Sequence, residues 1–167
     1  MVESDLSRIT WDEYFMQMVC VVAGRSTCIR RQVGAVLVRE RHILATGYNG
    51  APSRLQHCTY TGCVRQKHGI PSGERHELCR GVHAEQNAII QAAVHGTAIT
   101  GSTLYTSVHP CGICAKMIIN AGIRTVRFGE EYADKAAANY FSRAGVDVRT
   151  VKMPQKDNTA DKALVSE

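Results

Sequence analysis

No apolar run in this chain approaches the roughly 20 residues needed to cross a bilayer, and the polar stretch Met1 to Thr10 lacks the features of a secretory signal. Aromatic residues are scarce, at 6%, and there is no long Lys/Arg run. Without stacking platforms or a basic stripe, a nucleic-acid groove is not indicated. No internal repeat is visible. These absences point to a cytoplasmic protein with neither a membrane nor a nucleic acid as partner.

What is present fits one globular domain. The 167 residues are 44% hydrophobic and 21% charged, enough for a single core. We read residues 1–153 as that domain and the polar tail 154–167 as disordered. The net charge is +5, with Arg25, Arg30 and Arg31 close together and Arg124 and Arg127 on one later strand. That excess suits a small anionic ligand such as a nucleotide phosphate, although for any single arginine a solvated surface is the commoner reading. Seven cysteines is an odd number, and reduced thiols in a cytosolic chain serve metals or catalysis more than disulfides.

Thr10 followed by Glu13 predicts a capping box opening a first helix that ends at Gly24. Trp11, Phe15, Met18, Val19 and Val22 form its expected core stripe, with Cys20 a small buried hydrophobe among them. The β-branched run Val33 to Val38, the polar turn Arg39-Glu40-Arg41 and Ile43 to Tyr48 predict a β-hairpin. Residues 50–82 have no periodicity and are rich in Gly, Pro, Cys and His; a loop of that length needs a function or a staple. Beyond it the pattern predicts a helix from His83 to about His95, a strand at Ser102 to Thr106 and a helix from Cys111 to Ala121. A strand at Arg124 to Phe128, a helix near Asp134 to Ala144 and a strand at Val146 to Val151 follow. Alternation of this kind after a hairpin implies an α/β sandwich around a mixed sheet.

Two motifs carry the chemistry. His83-Ala84-Glu85 and Pro110-Cys111-Gly112-Ile113-Cys114 each stand where a helix should begin, with a strand between them. Two cysteines three apart on one turn, with a histidine from a second helix, supply three zinc ligands and leave the fourth tetrahedral position to water. The positive ends of both helices would stabilise the thiolates. Glu85, two residues beyond His83, is well placed to take a proton from that water and pass it on. CxxC alone serves structural zinc and redox pairs, and HxE alone is common. In this order, each opening a helix and with a strand between them, they form a zinc-deaminase signature.

Together with Arg25-Ser26-Thr27-Cys28, Val33-Gly34-Ala35-Val36, Ala45-Thr46-Gly47-Tyr48-Asn49-Gly50 and the continuation Gln86-Asn87-Ala88-Ile89, these motifs resemble the cytidine and deoxycytidylate deaminase family, over about Trp11 to Val151. The GYNG and QNAI segments resemble its dCMP-acting branch. The resemblance implies a three-layer α/β/α sandwich around a mixed five-stranded sheet, and hydrolysis of dCMP to dUMP and ammonia, which would supply dUMP for thymidylate synthesis. It also implies a Zn²⁺ held by His83, Cys111 and Cys114, with Glu85 shuttling protons. The Ala84 N–H would point at the base carbonyl, Asn49 would bind the sugar 3′-hydroxyl and Tyr132 would stack on the base. A turn residue at Asn49, and a core or surface tyrosine at Tyr132, are the plain alternatives.

Telling dCMP from deoxycytidine requires contacts to phosphate oxygens, for which Ser26, Arg25 and Arg30 are the candidates; helix capping by the arginines rivals that role. Cys28, Cys58, His76 and Cys79 suggest a second, structural zinc that staples residues 50–82, as several family members resemble this chain in having. The match is imperfect, with Cys63 and His57 as alternative ligands. The resemblance further implies a homo-oligomer, often a hexamer, with dCTP and dTTP acting with Mg²⁺ near the Gly47–Gly50 region. The rival functions are deamination of another cytosine nucleotide or of a tRNA adenosine, and a silent zinc protein. Retention of Glu85 argues against the last.

Overall fold

The computed structural model describes residues 8–132 and 136–154. The expected disorder of the tail falls on 155–167, outside the described residues, as do Asp134 and the start of the helix expected there.

Five strands form one mixed sheet in the order β2-β1-β3-β4-β5. β1 (Gly34–Arg39) and β2 (His42–Tyr48) make the expected hairpin, closed by Glu40 and Arg41, both at positive φ. Left-handed central residues match the twist of a two-residue hairpin turn. β1 pairs antiparallel with β3 (Thr103–Val108), and β3 pairs parallel with β4 (Thr125–Glu130), which pairs parallel with β5 (Asp147–Thr150).

Strand alternation separates two cores. Ala35, Leu37, Leu104 and Val126 face a layer made by α4 (Ala84–Val94), α5 (Gly112–Asn120) and α6 (Ala136–Ala144). Val36, Val38 and Tyr105 face α1 (Trp11–Ala23) on the other side. The layers are α/β/α, as expected.

α1 starts at a capping box in which the Thr10 hydroxyl accepts from the Glu13 N–H and the Glu13 carboxylate accepts from the Thr10 N–H. Its buried residues are Phe15, Met16, Val19 and Ala23. Each large apolar side chain so buried contributes about 1.5–3 kcal/mol. Trp11 departs from the expected core stripe: it is 41% exposed, and Met16, outside that stripe, takes the buried position. The indole ring stacks on Phe15 with the Arg41 guanidinium 4.9 Å from its centroid, so it is sheltered by a cation instead of by the core.

Residues 50–82 have little regular structure. Two single-turn helices, α2 (Cys58–Thr61) and α3 (Val64–Lys67), and a 3₁₀ turn at His76–Leu78 interrupt the segment. An isolated bridge between Gly50 and Val82 closes its ends.

Candidate active site

The topology gathers the sequence motifs on one edge of the sheet. β2 and β3 both pair antiparallel with β1, so β2, β3 and β4 run in the same direction. Asn49 follows β2, His109 to Cys111 follow β3, and Tyr132 lies just past β4. Such a carboxyl edge is the usual place for a ligand in α/β sheets. A cavity opens there, lined by Asn49, His83, Glu85, Cys111 and Tyr132 among others.

His83 is the N-cap of α4 and Cys111 the N-cap of α5, so both helices turn their positive ends to one point. Gln86 Oε1 accepts from the His83 N–H at 2.9 Å, which fixes the start of α4. The helix can sit this close to β2 only because residue 47 is glycine. A Cβ there would come within 2.2 Å of the Ala84 carbonyl oxygen and 2.3 Å of the Ala88 nitrogen.

His83 Nδ1 lies 3.5 Å from Cys111 Sγ and 3.4 Å from Cys114 Sγ. A tetrahedral zinc with ordinary Zn–S and Zn–N bonds separates such donors by about 3.6 Å. The three ligand atoms lie within 4.8 Å of one another, the one cluster of this kind among the described residues. The donor set therefore fits zinc.

The electrostatics suit a cation. Hydrogen bonding from Cys114, and then from His83, brings the Cys111 thiol down to about 4 against the effect of burial. Cys114, the partner in that bond and buried, is driven up. Burial alone would lower the pKa of His83, but the Cys111 hydrogen bond and the Glu85 charge outweigh it and raise it. Glu85 is 4% exposed, with Oε2 3.8 Å from Cys114 Sγ. Burial raises its pKa, partly opposed by His83, the direction expected of a group that must hold and release protons near neutral pH.

The other expected residues divide. Ala84 is fully buried in the first turn of α4 and lines the cavity, as does Tyr132, whose ring centroid is 6.3 Å from that of His76. Asn49 is held rigidly: its Oδ1 accepts from the Val33 N–H at 2.8 Å and the Ser26 hydroxyl at 2.6 Å, and its Nδ2 donates to the Arg31 carbonyl at 2.8 Å. Ser26 is thus engaged with Asn49, and neither it nor the exposed Arg25 lines the cavity. Arg30 does, with Nη1 donating to the Ile70 carbonyl at 3.0 Å.

The expected second-ion quartet is not assembled as read. Cys28, Cys58, His76 and Cys79 all line the cavity, but no three of them are as close as the His83 cluster. His76 turns instead toward His83, ring centroids 5.0 Å apart and edge to face. Both its nitrogens are buried without a hydrogen-bond partner, and burial lowers its pKa. A histidine kept neutral beside a ligand histidine forms a wall of this site, a role that the His-x-x-Cys spacing does not reveal. The Cys58 thiol is raised by burial and then by Cys28, with Cys63 and Cys79 also contributing. Arg65, on α3, lines the cavity too; a lone arginine in an aperiodic loop gives no signal in the sequence.

Comparison with known proteins agrees with this geometry. Residues 9–130 match the profile of the cytidine and deoxycytidylate deaminase zinc-binding region. ComE operon protein 2 of Bacillus subtilis is 38% identical over 151 residues, covering 90% of this chain and 76% of that protein. The deoxycytidylate deaminase of Saccharomyces cerevisiae is 38% identical over 145 residues, covering 86% of this chain but 46% of the yeast protein. Among solved structures, the dCMP deaminase of cyanophage S-TIM5, in complex with dCMP and dUMP, superposes with a TM-score of 0.73 at 30% identity, covering 87% of this chain and 99% of that one.

Proposed function

The chain belongs to the cytidine and deoxycytidylate deaminase family, and from that premise we propose that it is a hydrolase converting dCMP and water to dUMP and ammonia. The observation that carries this reading is the convergence of His83 Nδ1 with two cysteine sulfurs beside the buried Glu85. The cyanophage enzyme, similar over most of its length, binds dCMP and dUMP.

His83, Cys111 and Cys114 would hold a zinc ion, which would supply a Lewis acid able to lower the pKa of water. Glu85 does the proton work. Its carboxylate accepts a proton from the water that attacks C4, and the resulting acid delivers it to N3 of the cytosine. The carboxylate then takes the hydrogen of the new C4 hydroxyl and passes it to the exocyclic amine, so that the C4–N bond breaks, the C4 carbonyl forms and ammonia leaves. Burial, which raises the Glu85 pKa, favours the protonated form that delivers the hydrogen. The Ala84 N–H meets the base carbonyl and Tyr132 stacks on the ring. Asn49, with one amide hydrogen left after its bond to Arg31, meets the 3′-hydroxyl.

The finer readings belong to the same proposal. A homo-oligomer, often hexameric, responds to dCTP and dTTP with Mg²⁺; a hollow beside Gly47, Tyr48 and Pro52 supports that location. A structural zinc would draw Cys28, Cys58, His76 and Cys79 together, with Cys63 or His57 in place of one of them; all of these but His57 line the cavity. Zinc counted per chain tests it.

Ammonia release from a panel of cytosine nucleosides and nucleotides tests the reaction. dCMP is expected to be turned over; a zinc-loaded protein inert toward every cytosine compound would overturn the proposal.

A further inference from the structure

Arg65 is 7% exposed, an uncommon depth for a guanidinium. It lines the same cavity as His83, Glu85 and Asn49. Among the described residues its Nη2 donates to the Pro71 carbonyl at 2.9 Å, its Nε is buried with no partner, and no carboxylate stands within ion-pair reach. A buried cation without a counter-charge is costly, because desolvation is not repaid by attraction.

The nearby basic residues are held elsewhere. The arginine whose field bears on the Cys58 thiol is Arg80, which donates to the Thr61 hydroxyl at 2.6 Å. Of the other basic residues at the cavity, Arg31 is paired with Glu130, and Arg30, less deeply buried than Arg65, donates Nη1 to the Ile70 carbonyl. Arg30 and Arg65 therefore grip the consecutive carbonyls of Ile70 and Pro71. That leaves Arg65 with its Nε, and the remaining hydrogens of a planar fork, for an anion that enters the cavity.

On the reading of this protein as a deaminase of dCMP, the substrate brings one anionic group. We propose that Arg65 binds its 5′-phosphate, and so is the residue by which this site distinguishes a nucleotide from a nucleoside. Arg25 and Ser26, away from the cavity, have no such part.

The test is the ratio of kcat/KM on dCMP to kcat/KM on deoxycytidine, with zinc content and melting temperature followed in each protein. In Arg65→Gln the ratio is expected to fall roughly 10- to 100-fold, as for loss of a hydrogen bond to a charged group, with the loss on dCMP carried mainly in KM. Arg65→Lys, which keeps the charge but loses the fork, should fall between the two. It decides the matter if the Gln variant does not fold. A ratio unchanged from the parent, or a parallel loss on both substrates, overturns the proposal. A zinc-loaded parent inactive on dCMP would overturn the functional reading itself, a result seen in the parent alone and so separate from any result on the variants.

Discussion

Two walls of one cavity are built in opposite ways. The catalytic wall, His83 to Glu85 and Cys111 to Cys114, hangs from the ends of buried secondary structure: β3 is paired on both sides, and the helices that carry the ligands pack on Ala35, Leu37 and Leu104. The facing wall, residues 50–82, has two single-turn helices, a 3₁₀ turn and side chains donating to loop carbonyls. The first can hold reacting groups in fixed geometry, because helix starts and strand ends are set by the core. The second holds Arg65, the proposed phosphate contact, on a segment with few ladder bonds. The difference suggests a division of labour: chemistry on the rigid wall, substrate discrimination on the softer one.

The largest effect should come from breaking the rigid wall chemically without disturbing it. Glu85→Gln removes the proton carrier while keeping size and burial, so turnover should fall by at least about 10²- to 10⁴-fold. Zinc content and melting temperature should stay near those of the parent. A variant that releases ammonia at the parent rate would remove Glu85 from the mechanism.

The next effect comes from prying the rigid wall away from the sheet. Gly47→Ala forces a Cβ against the Ala84 carbonyl, and overpacking of this kind costs about 1–3 kcal/mol. Because the strained contact lies at the start of α4, activity should fall along with denaturant stability. Parent-like stability would mean that β2 and α4 separate freely.

The contrast between the walls can also be read directly by hydrogen exchange. Amides of Ala88 to Ala92 should exchange far more slowly than those of Ala51 to Gly73, which lack a buried ladder. Equal protection would show that residues 50–82 are pinned as firmly as the catalytic wall, and a second zinc would then be the first thing to look for.

The smallest effect belongs to the far side of the sheet. Asp147 is held below its usual carboxylate range by its hydrogen bond from Arg127, with Arg149 assisting. A depressed folded-state pKa gives stability that is present above the unfolded value and lost as pH falls through the folded one. The pair is exposed and should contribute little. Asp147→Asn should therefore lower the melting temperature only slightly at neutral pH, with the difference shrinking under acid conditions. A difference that grew in acid would contradict the ion pair.

Much of this architecture could be read from residue order. The capping box at Thr10 and Glu13, the hairpin, both ligand-bearing helix starts and the alternating later elements depend on short-range periodicity and cap chemistry, and these are local. The failures share another cause. Trp11 falls in the apolar stripe of α1 but stays exposed, because where α1 meets the sheet is decided by the sheet, and Met16 reaches that contact instead. The contact of His76 with His83 was likewise not legible, since the path of an aperiodic segment is not written in its spacing.

The sequence alone determined which residues can bind the metal and move protons, because a three-residue step on a helical turn brings two sulfurs to one side whatever surrounds them. Tertiary structure decided what those residues face. Asn49 came to rest beside Ser26 and Val33, Arg65 was buried without a counter-charge, and Gly47 became the point where strand and helix backbones touch. Each depends on segments distant in the chain converging at one sheet edge, and that convergence is a property of topology, which no local pattern encodes.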